Sequence, residues 1–414
     1  MLHSLTGEII PEMNAKGLRR AKSKPLSARL WKLYYSIAKR TLLPLVRFLQ
    51  FCGLKYRFVN FHSARVGHLA LEPDCFIKEG RLGLRPPVKE IWVAPQDRVA
   101  NKHLLRYWES YLRVWKSPWA KLLLPVAENE SLGRSYVMVL NETAQYPRIQ
   151  SAWGDRPPLL KLTRDDDERG RAMLAKLGVP EGAWFVCVHN REAGFAPYDD
   201  HIQTFRNADI RSYFPAMQMI VDRGGWCIRM GDKSVSPLPP MPQTVDYAVH
   251  EAKSDWMDVF LCATCKCFLG STSGLALVSN VFGGKVAMAN QIPLSAVLPC
   301  GIHDVGIPKL LWSTRKDRFM TFKEILDSPE GNFRFTHLYE EAGLKIVDNT
   351  PDEILELAIE LLEIATGTIR YSPEDEELQR RFKALMRPGH YSYGAESRVG
   401  RHFLRKHADL LADG

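Results

Sequence analysis

Short apolar runs alternate with longer amphipathic segments through most of the chain, and glycine, proline or a capping hydroxyl separates them. The runs predict buried strands, and the segments with apolar residues every three or four positions predict helices. Strands that alternate with helices favour parallel sheets of the doubly wound type. The predicted strands are 56–61, 90–94, 183–189, 226–230, 267–269 and 285–289, and the main predicted helices are 69–77, 101–115, 164–177, 212–223, 255–263, 275–282, 351–364 and 374–386.

The stretch from Cys265 to Asn290 contains the clearest strand–helix–strand unit. It reads CKCFLGSTSGLALVSNVFGGKVAMAN, and its first strand leads into the turn Gly270-Ser271-Thr272-Ser273-Gly274. Unpaired N–H groups and the positive end of a helix dipole meet at such a turn, so it suits an anion such as phosphate. Taken alone, the turn is better explained as an ordinary helix cap with Ser or Thr at the N-cap, and only its neighbours along the chain favour the anion site.

Charge is unevenly distributed along the chain. The formal net charge is +9, and the interval between Glu12 and Glu72 holds thirteen Lys and Arg without one acidic residue. Subtracting these charges leaves the rest of the protein mildly acidic. The basic character therefore belongs to an N-terminal extension rather than to the folded body.

Residues 29–51 of this extension are apolar and aromatic at most positions, with cations recurring about every seven residues. The uninterrupted apolar runs are too short to span a bilayer. The pattern predicts an amphipathic anchor for an anionic membrane surface, on the inner face of the cytoplasmic membrane. A helix packed on the protein's own body is the alternative. Nucleic acid is not an expected partner, because no recognised reader motif accompanies the charge.

Composition and cysteine spacing limit the cofactors. The hydrophobic content of 45% and charged content of 25% are those of a globular protein, and the eight cysteines show no disulfide framework. Cys262, Cys265 and Cys267 cluster without histidines at zinc spacing, so they are expected to be buried thiols of a reduced, cytoplasmic protein. The sequence contains no G-x-G-x-x-G and no Walker-type loop, and its single D-x-D match, Asp165-Asp166-Asp167, lies at the start of the predicted helix 164–177 rather than in a loop after a strand. We therefore expect no cofactor and no metal.

Three loops of the second half of the chain follow predicted strands, and the carboxyl ends of parallel strands share one edge of a sheet. Arginines beside the glycine-rich turn would form a site for a diphosphate. An ordinary ion pair is the alternative for each arginine. The predicted substrate-binding residues of this edge are His189, Arg191, Arg229, Gly231, Asp246, Tyr247, Ser271, Thr272, Ser273 and Gly274.

The first half of the chain offers a second candidate position. Gly67 and His68 lie in a glycine-bearing turn after the predicted strand 56–61, where ligands of such sheets bind. Gly67 is a predicted substrate-binding residue. His68, or else Asp232 in the second half, is a candidate general base. A lone histidine is more often structural than catalytic.

Several of these segments resemble known glycosyltransferases. The order of apolar strand, G-S-T-S-G, helix and G-G-K-V-A-M is similar to the donor-binding segment of bacterial heptosyltransferases. The V-H-N-R strand end resembles the H-x-R element of fucosyltransferase-like enzymes, although Glu192 stands where a second basic residue is usual, which argues against a GDP-fucose donor. More closely, the chain resembles a poorly characterised bacterial family of glycosyltransferases with the GT-B fold. The likeness is strong over 183–365, weaker over 56–115 and absent at both termini.

The resemblance implies an α/β, GT-B-like fold with two Rossmann-type doubly wound domains facing a cleft. Charge and pattern divide the chain into a basic amphipathic extension (1–54), an N-terminal domain (55–180), a second domain (181–370) and a C-terminal helical tail (371–414). The resemblance implies that the first of the two domains binds the acceptor and the second binds the nucleotide sugar.

The implied activity is sugar transfer from a nucleotide-diphosphate sugar to a hydroxyl of a saccharide or lipid-linked acceptor, without metal, in the synthesis of a bacterial surface polysaccharide or glycoconjugate. His68, Arg191 and Asp232 are the implied catalytic residues. A sugar-nucleotide epimerase of the same architecture and a non-catalytic scaffold at the membrane surface are the alternatives.

Overall fold

The computed structural model describes residues 26–53, 56–85, 89–127, 145–194 and 202–412. The strands in these ranges are β1 (Tyr56–Val59), β2 (Lys89–Val93), β3 (Arg113–Trp115), β4 (Phe185–His189), β5 (Trp226–Arg229), β6 (Thr244–Val245), β7 (Cys267–Gly270), β8 (Val286–Gln291), β9 (Val305–Pro308), β10 (Leu310–Ser313), β11 (Arg318–Phe319), β12 (Leu344–Val347) and β13 (Arg398–Val399).

The α-helices in the same ranges are α1 (Leu26–Phe51), α2 (Val66–Arg81), α3 (Lys102–Trp108), α4 (Leu124–Ala127), α5 (Gln145–Trp153), α6 (Arg164–Lys176), α7 (Phe214–Asp222), α8 (Asp255–Thr264), α9 (Leu275–Val281), α10 (Phe322–Leu326), α11 (Thr336–Glu341), α12 (Pro351–Thr366), α13 (Pro373–Ala384) and α14 (Arg401–Lys406). Short 3₁₀ turns connect several of them.

A seven-stranded sheet forms the centre of the second half of the chain. Its order is β13-β9-β8-β7-β4-β5-β6, and every pair of neighbours is parallel. The strand β4 is buried along its apolar residues because helices cover both faces of the sheet. From β4 the chain continues to β5 and β6 on one side, and then returns to β7, β8 and β9 on the other. The switch point of this doubly wound sheet therefore lies between β4 and β7.

A smaller parallel sheet, in the order β1-β2-β3, forms the first half. The predicted helix 101–115 is wrong in its second half, because α3 ends at Trp108 and residues 113–115 form the strand β3. The side chains of Val114 and Trp115 suit a strand, and pairing with β2 satisfies the backbone of this segment. The α/β class with two parallel-sheet units, predicted from sequence, is confirmed.

The two units share one apolar core rather than standing apart. A single buried cluster extends from Val59 and Leu69 in the first unit to Phe185 and Val286 in the large sheet. Within this core, a methyl group on Gly170 of α6 would stand 2.1 Å from the Phe260 ring of α8. Close approach of this kind requires glycine, so Gly170 allows α6 to pack directly on α8.

The helix α1 has two different apolar faces. Ala38 and Val46 are buried, at 2% and 8% exposure, and Trp31 and Tyr35 pack on a cluster that includes the buried Ala120, Leu124 and Ala127. The opposite face leaves its leucines and phenylalanines exposed. Within the described ranges, no helix combines the length and the apolar character needed to cross a bilayer. The helix therefore is both part of the first unit's core and the carrier of an uncovered apolar stripe.

Two regions of the second half differ from the sequence prediction. The segment between Asn290 and Thr350, where the sequence pattern predicts neither a strand nor a main helix, contains β9 and an antiparallel sheet in the order β11-β10-β12. The segment 371–414, expected to be a helical tail, contributes β13 to the edge of the large sheet by pairing with β9. All of these strands are short, and β9, β12 and β13 pair with segments distant in sequence, so their local pattern is weak.

Candidate functional site

Two loops meet at the switch point of the large sheet, at the ends of β4 and β7. His189 and Gly270 are register partners in the parallel pairing of these strands. The N–H of Ser271 donates to the His189 carbonyl at 2.9 Å, and the Ser271 hydroxyl accepts from the Arg191 N–H at 2.9 Å. These two hydrogen bonds hold the predicted loops together at one edge of the sheet.

The turn after β7 presents backbone N–H groups at this edge. Ser271 is buried and its hydroxyl is occupied by Arg191, whereas residues 272–274 are partly exposed. Ser273 accepts from the Leu275 N–H at 3.3 Å, a local turn contact that begins one residue before the N-cap Gly274. Among the described residues, no group accepts from the N–H groups of Thr272, Ser273 or Gly274. Three donors are thus available to an anion.

The helix dipole contributes little to this arrangement. The helix α9 has seven residues, about two turns, and its N-cap Gly274 has no side chain to close it. The favourable potential at the turn arises instead from individual N–H groups and from nearby guanidinium groups. This differs from the expectation that a helix N-terminus would provide the anion site.

Two arginines flank the turn. Arg191 is partly buried, and its Nε donates to Asn207 Oδ1 at 3.3 Å. Arg206 donates from Nη2 to the Thr272 carbonyl at 2.9 Å, which places a second guanidinium against the turn. The sequence did not single out Arg206, because it lies in a 3₁₀ turn of a long loop with no periodic pattern. Its only local signal is a position beside Asn207, on the same loop that follows β4.

Arg229 is a structural residue rather than an open ligand for a diphosphate. Its side chain is 0% exposed, and its guanidinium contacts Glu192 Oε1 at 2.6 Å and Asp246 Oδ1 at 3.2 Å. A buried guanidinium requires opposite charge, and both carboxylates supply it. Asp246 also accepts from the Leu238 N–H. The prediction that Arg229 and Asp246 bind substrate is therefore corrected, and Glu192 is explained as the partner of Arg229.

Three further predicted residues lie at or below the same edge. Tyr247 is buried in the core and donates to Asp258 Oδ1 at 2.9 Å, so it has no exposed surface for substrate. Gly231 has a φ of 152°, and a methyl group there would approach Ala248, so it serves the backbone turn after β5. Asp232 is partly exposed and accepts from the Ser234 N–H at 2.8 Å. Of the three, Asp232 alone remains accessible.

A hollow of about 470 Å³ adjoins these loops. Its walls combine carboxylates with small polar groups, which suits hydroxyl-bearing ligands. Its lining residues are Glu192, Ala193, Asn207, Ala208, Asp209, Ser234, Ser236 and Asp348. The hollow and the two flanking arginines thus share the loop that contains Asn207.

A histidine from the first unit faces the same region. A methyl group on Gly67 would stand 2.7 Å from the Gly274 Cα, so α2 and α9 begin in direct contact. A side chain at either position would collide with the other helix, so both glycines are needed for this close packing. His68 is the next residue of α2, and its Nδ1 lies 2.7 Å from Oε1 of the fully buried Glu72. The side chain of His68 is 31% exposed, so its other nitrogen is accessible.

Glu72 is a residue that the sequence prediction missed. Its second oxygen, Oε2, accepts from the His62 N–H at 2.8 Å, which fixes the carboxylate on both sides. A carboxylate held in this way orients a histidine and selects the tautomer whose outer nitrogen can accept a proton. The available signal was the spacing of four residues from His68 on a helix, combined with an acidic residue inside an apolar run.

His189 lies at the end of β4 as predicted, with an unusual environment. Its Nδ1 is sealed from solvent and has no partner among the described residues. Burial, together with the positive charge of Arg229, lowers the pKa of His189 to about 4. The ring is therefore neutral near pH 7, where it can exchange hydrogen bonds without adding charge.

Comparison with known proteins yields structural neighbours alone. No family model and no curated protein matches the sequence. The Escherichia coli ADP-heptose lipopolysaccharide heptosyltransferase II is 14% identical, with a TM-score of 0.38 over 56% of this chain and 84% of that one. A family 9 glycosyltransferase from Veillonella parvula is 10% identical, with a TM-score of 0.31 over 57% and 80%.

A third neighbour is the iron-containing dodecameric glycosyltransferase TibC from enterotoxigenic E. coli. It is 12% identical, with a TM-score of 0.34 over 58% of this chain and 61% of that one. All three are glycosyltransferases. At these TM-scores no residue role is carried over, and the case for function rests on the geometry of the site.

The environment of His189 predicts a pH-dependent stability. Between the unfolded pKa of about 6.5 and the folded value of about 4, the unfolded chain takes up a proton that the folded chain refuses. Stability should therefore fall as the pH is lowered through this window, by up to ~3 kcal/mol from this group. Replacement His189→Gln should remove that part of the loss. Urea unfolding at pH 7 and pH 4.5 measures it.

Carboxyl groups also titrate between pH 7 and pH 4.5 in every protein. The pH dependence of the free energy of unfolding in each variant is therefore compared with that of the wild type. His303→Gln, at an exposed position, is the matched control for loss of a histidine. Equal pH dependence in wild type and His189→Gln would contradict the assignment.

Proposed function

We propose that this protein transfers a glycosyl group from a nucleoside-diphosphate sugar to a hydroxyl of a saccharide or lipid-linked acceptor. One observation carries the proposal. An anion-binding turn flanked by Arg191 and Arg206 lies where α9 begins, and α2, with the His68–Glu72 pair, begins against it. A diphosphate site and an oriented base at one place are the two requirements of this reaction.

The second unit would bind the donor. The guanidinium groups of Arg191 and Arg206 and the N–H groups of residues 272–274 supply positive potential for a diphosphate. During transfer, the bond between the anomeric carbon and the phosphate oxygen breaks, and the diphosphate leaves with the electron pair. Donors already positioned for this charge stabilise it without reorganisation. The arrangement supports stabilisation of the leaving group without a metal ion.

The first unit would activate the acceptor. The acceptor hydroxyl forms the new bond to the anomeric carbon and passes its proton to Nε2 of His68, while Nδ1–H remains bonded to Glu72. The carboxylate holds the ring in the productive tautomer and balances the positive charge that develops on it. His68 is favoured over Asp232 as the base because it has such a partner, whereas Asp232 accepts a turn N–H.

In this proposal, the acceptor is an intermediate in the synthesis of a bacterial surface polysaccharide or glycoconjugate. The protein acts on the inner face of the cytoplasmic membrane. The support is the uncovered stripe of α1, whose exposed residues are Leu30, Leu33, Ile37, Leu45, Phe48 and Phe51. At 3.6 residues per turn, Arg40 and Arg47 border the stripe, whereas Lys32 and Lys39 lie on the opposite side of the helix. An apolar stripe bordered by cations suits an anionic bilayer surface.

The donor site is tested first, by affinity. Arg191→Ala and Arg206→Ala should each weaken binding of the nucleotide sugar by roughly 1.5–3 kcal/mol, the value of a hydrogen bond to a charged group. Arg191→Lys should not restore binding if the contact is bidentate. Calorimetry in EDTA measures the affinity, after mass spectrometry of nucleotides that copurify with the protein has identified the donor. Arg211→Ala, an exposed arginine outside the turn, is the matched control.

Wild-type affinity in folded Arg191→Ala and Arg206→Ala proteins would show that the diphosphate binds elsewhere. Loss of binding in EDTA, restored by Mg²⁺ or Mn²⁺, would show that a metal handles the leaving group. Melting curves confirm that each variant is folded.

Turnover is tested separately. Free nucleoside diphosphate should appear only when acceptor is present, and His68→Gln should lower kcat about 10²–10⁴-fold while donor affinity stays near the wild-type value. The physical reason is that His68 acts on the acceptor proton and not on the diphosphate. Interconversion of the donor without acceptor would indicate an epimerase. Absence of turnover with every donor that binds would indicate a scaffold.

Membrane attachment is tested at the exposed stripe of α1, because deleting the helix would uncover the first sheet. Leu33→Glu combined with Phe48→Glu should weaken binding to phosphatidylglycerol vesicles more than tenfold, since burying each side chain is worth about 1.5–3 kcal/mol. High salt should weaken the wild type as well. Leu84→Glu, an exposed leucine away from α1, is the control. Vesicle binding that ignores both the double substitution and lipid charge would contradict the attachment.

A further inference from the structure

Three potential metal ligands converge beside the beginning of α2. His62 follows β1, His68 lies in the first turn of α2, and Glu72 lies one turn later. One donor atom from each residue lies within 4.8 Å of the others. Within the described parts of the chain, this is the sole His/Cys/Asp/Glu group with that spacing.

We propose that His62, His68 and Glu72 bind a divalent transition-metal ion such as Zn²⁺, and that the bound ion inhibits the enzyme by occupying the lone pair of the His68 base. The second part rests on the proposed function, and the first does not. Two imidazoles and one carboxylate are a ligand set that suits Zn²⁺, Co²⁺ or Fe²⁺ rather than Mg²⁺ or Ca²⁺.

The distances fit one coordination sphere after small side-chain rotations. Ligands at ~2.1 Å from a tetrahedral metal lie ~3.4 Å from one another. His68 Nδ1 and Glu72 Oε1 are 2.7 Å apart, so these two need to separate slightly, and the His62 ring needs to approach. His62 is exposed, and its ring centroid is 5.3 Å from that of His68. An ion can therefore reach the group from solvent and leave open positions for water.

The surrounding hydrogen bonds hold the ligands in place. Glu72 is fully buried on α2, and its Oε2 accepts from the His62 N–H at 2.8 Å. This bond ties the loop that contains His62 to the carboxylate before any ion arrives. Outer hydrogen bonds of this type orient ligands, and their loss typically reduces metal affinity 10–100-fold.

The cysteines do not offer a competing site of the same quality. Cys262, Cys265 and Cys267 are buried. The thiols of Cys262 and Cys265 lie at 3.7 Å and 3.4 Å from backbone carbonyls. Burial raises the pKa of the Cys262 and Cys267 thiols, which opposes the thiolate that a metal requires.

Metal binding and base catalysis exclude each other at His68. A neutral imidazole has one nitrogen with a free lone pair and one that carries the proton. A metal ion on either nitrogen takes that lone pair, and the remaining N–H cannot accept a proton from an acceptor hydroxyl. The ion would also displace the proton that now lies between His68 and Glu72. Removal of the ion by a chelator would restore the base.

The test uses the full-length protein after treatment with EDTA and removal of the chelator. Zn²⁺ binding is measured by competition with a chromophoric chelator, and Co²⁺ is used to record the ligand spectrum. One ion per chain should bind, with Co²⁺ bands typical of nitrogen and oxygen ligands and without thiolate charge transfer. His62→Ala, an exposed change, and Glu72→Gln should each weaken Zn²⁺ at least tenfold. His303→Ala and Cys52→Ser are the matched controls.

Wild-type Zn²⁺ affinity in the folded His62→Ala and Glu72→Gln proteins, or a thiolate spectrum, would overturn the site. In the activity assay, Zn²⁺ should inhibit the wild type reversibly and His62→Ala at least tenfold less, with each rate normalised to its own metal-free value. Binding at the three residues without inhibition would overturn the inhibitory role and leave the site. Binding without turnover under any condition would support the site while the proposed function fails.

Discussion

The pairing of β4 with β7 is the constraint on which the candidate site depends. From β4 the sheet extends through β5 and β6 on one side, and from β7 it extends through β8 and β9 on the other. The loops after β4 and β7 therefore diverge and leave a crevice at the carboxyl ends of these two strands. The register that opposes His189 to Gly270 brings the two loops within reach of each other. Two hydrogen bonds through Ser271 then fix them. A change of register by one residue would invert every side chain of β7 and remove this correspondence.

Burial separates the arginines of this region into two groups. Arg229 is enclosed, and Glu192 and Asp246 balance its charge, whereas its Nε has no hydrogen-bond partner among the described residues. Taking a guanidinium out of water is costly, and here two carboxylates and the Ser236 carbonyl offset that cost. Arg191 and Arg206 instead contact the loop and the turn at the partly exposed edge. Arg229 therefore stabilises the fold, whereas Arg191 and Arg206 are candidate ligands for the diphosphate.

The contact between Gly67 and Gly274 links the chemistry of the two units. Two helices can begin this close together only because neither position has a side chain. The contact places His68 and its partner Glu72 beside the turn that the second unit presents. It also explains why two potential roles converge on one histidine, since the same carboxylate that orients a base can complete a metal site. Under the two proposals, a metal ion and the proton of an acceptor hydroxyl would compete for His68.

The sequence by itself determined most elements that depend on local signals. The capping box at Thr350 with Glu353, Pro351 in the first turn and Gly367 in the left-handed conformation bound α12 as predicted. The apolar run 183–189 likewise predicted β4. Tertiary structure alone decided the rest. The strands β9 and β13 exist because segments distant in sequence pair with them, and burial distinguishes the enclosed Arg229 from the partly buried Arg191. Likewise, Glu72 becomes a histidine partner only after α2 packs, because accessibility and long-range contacts are not encoded in local periodicity.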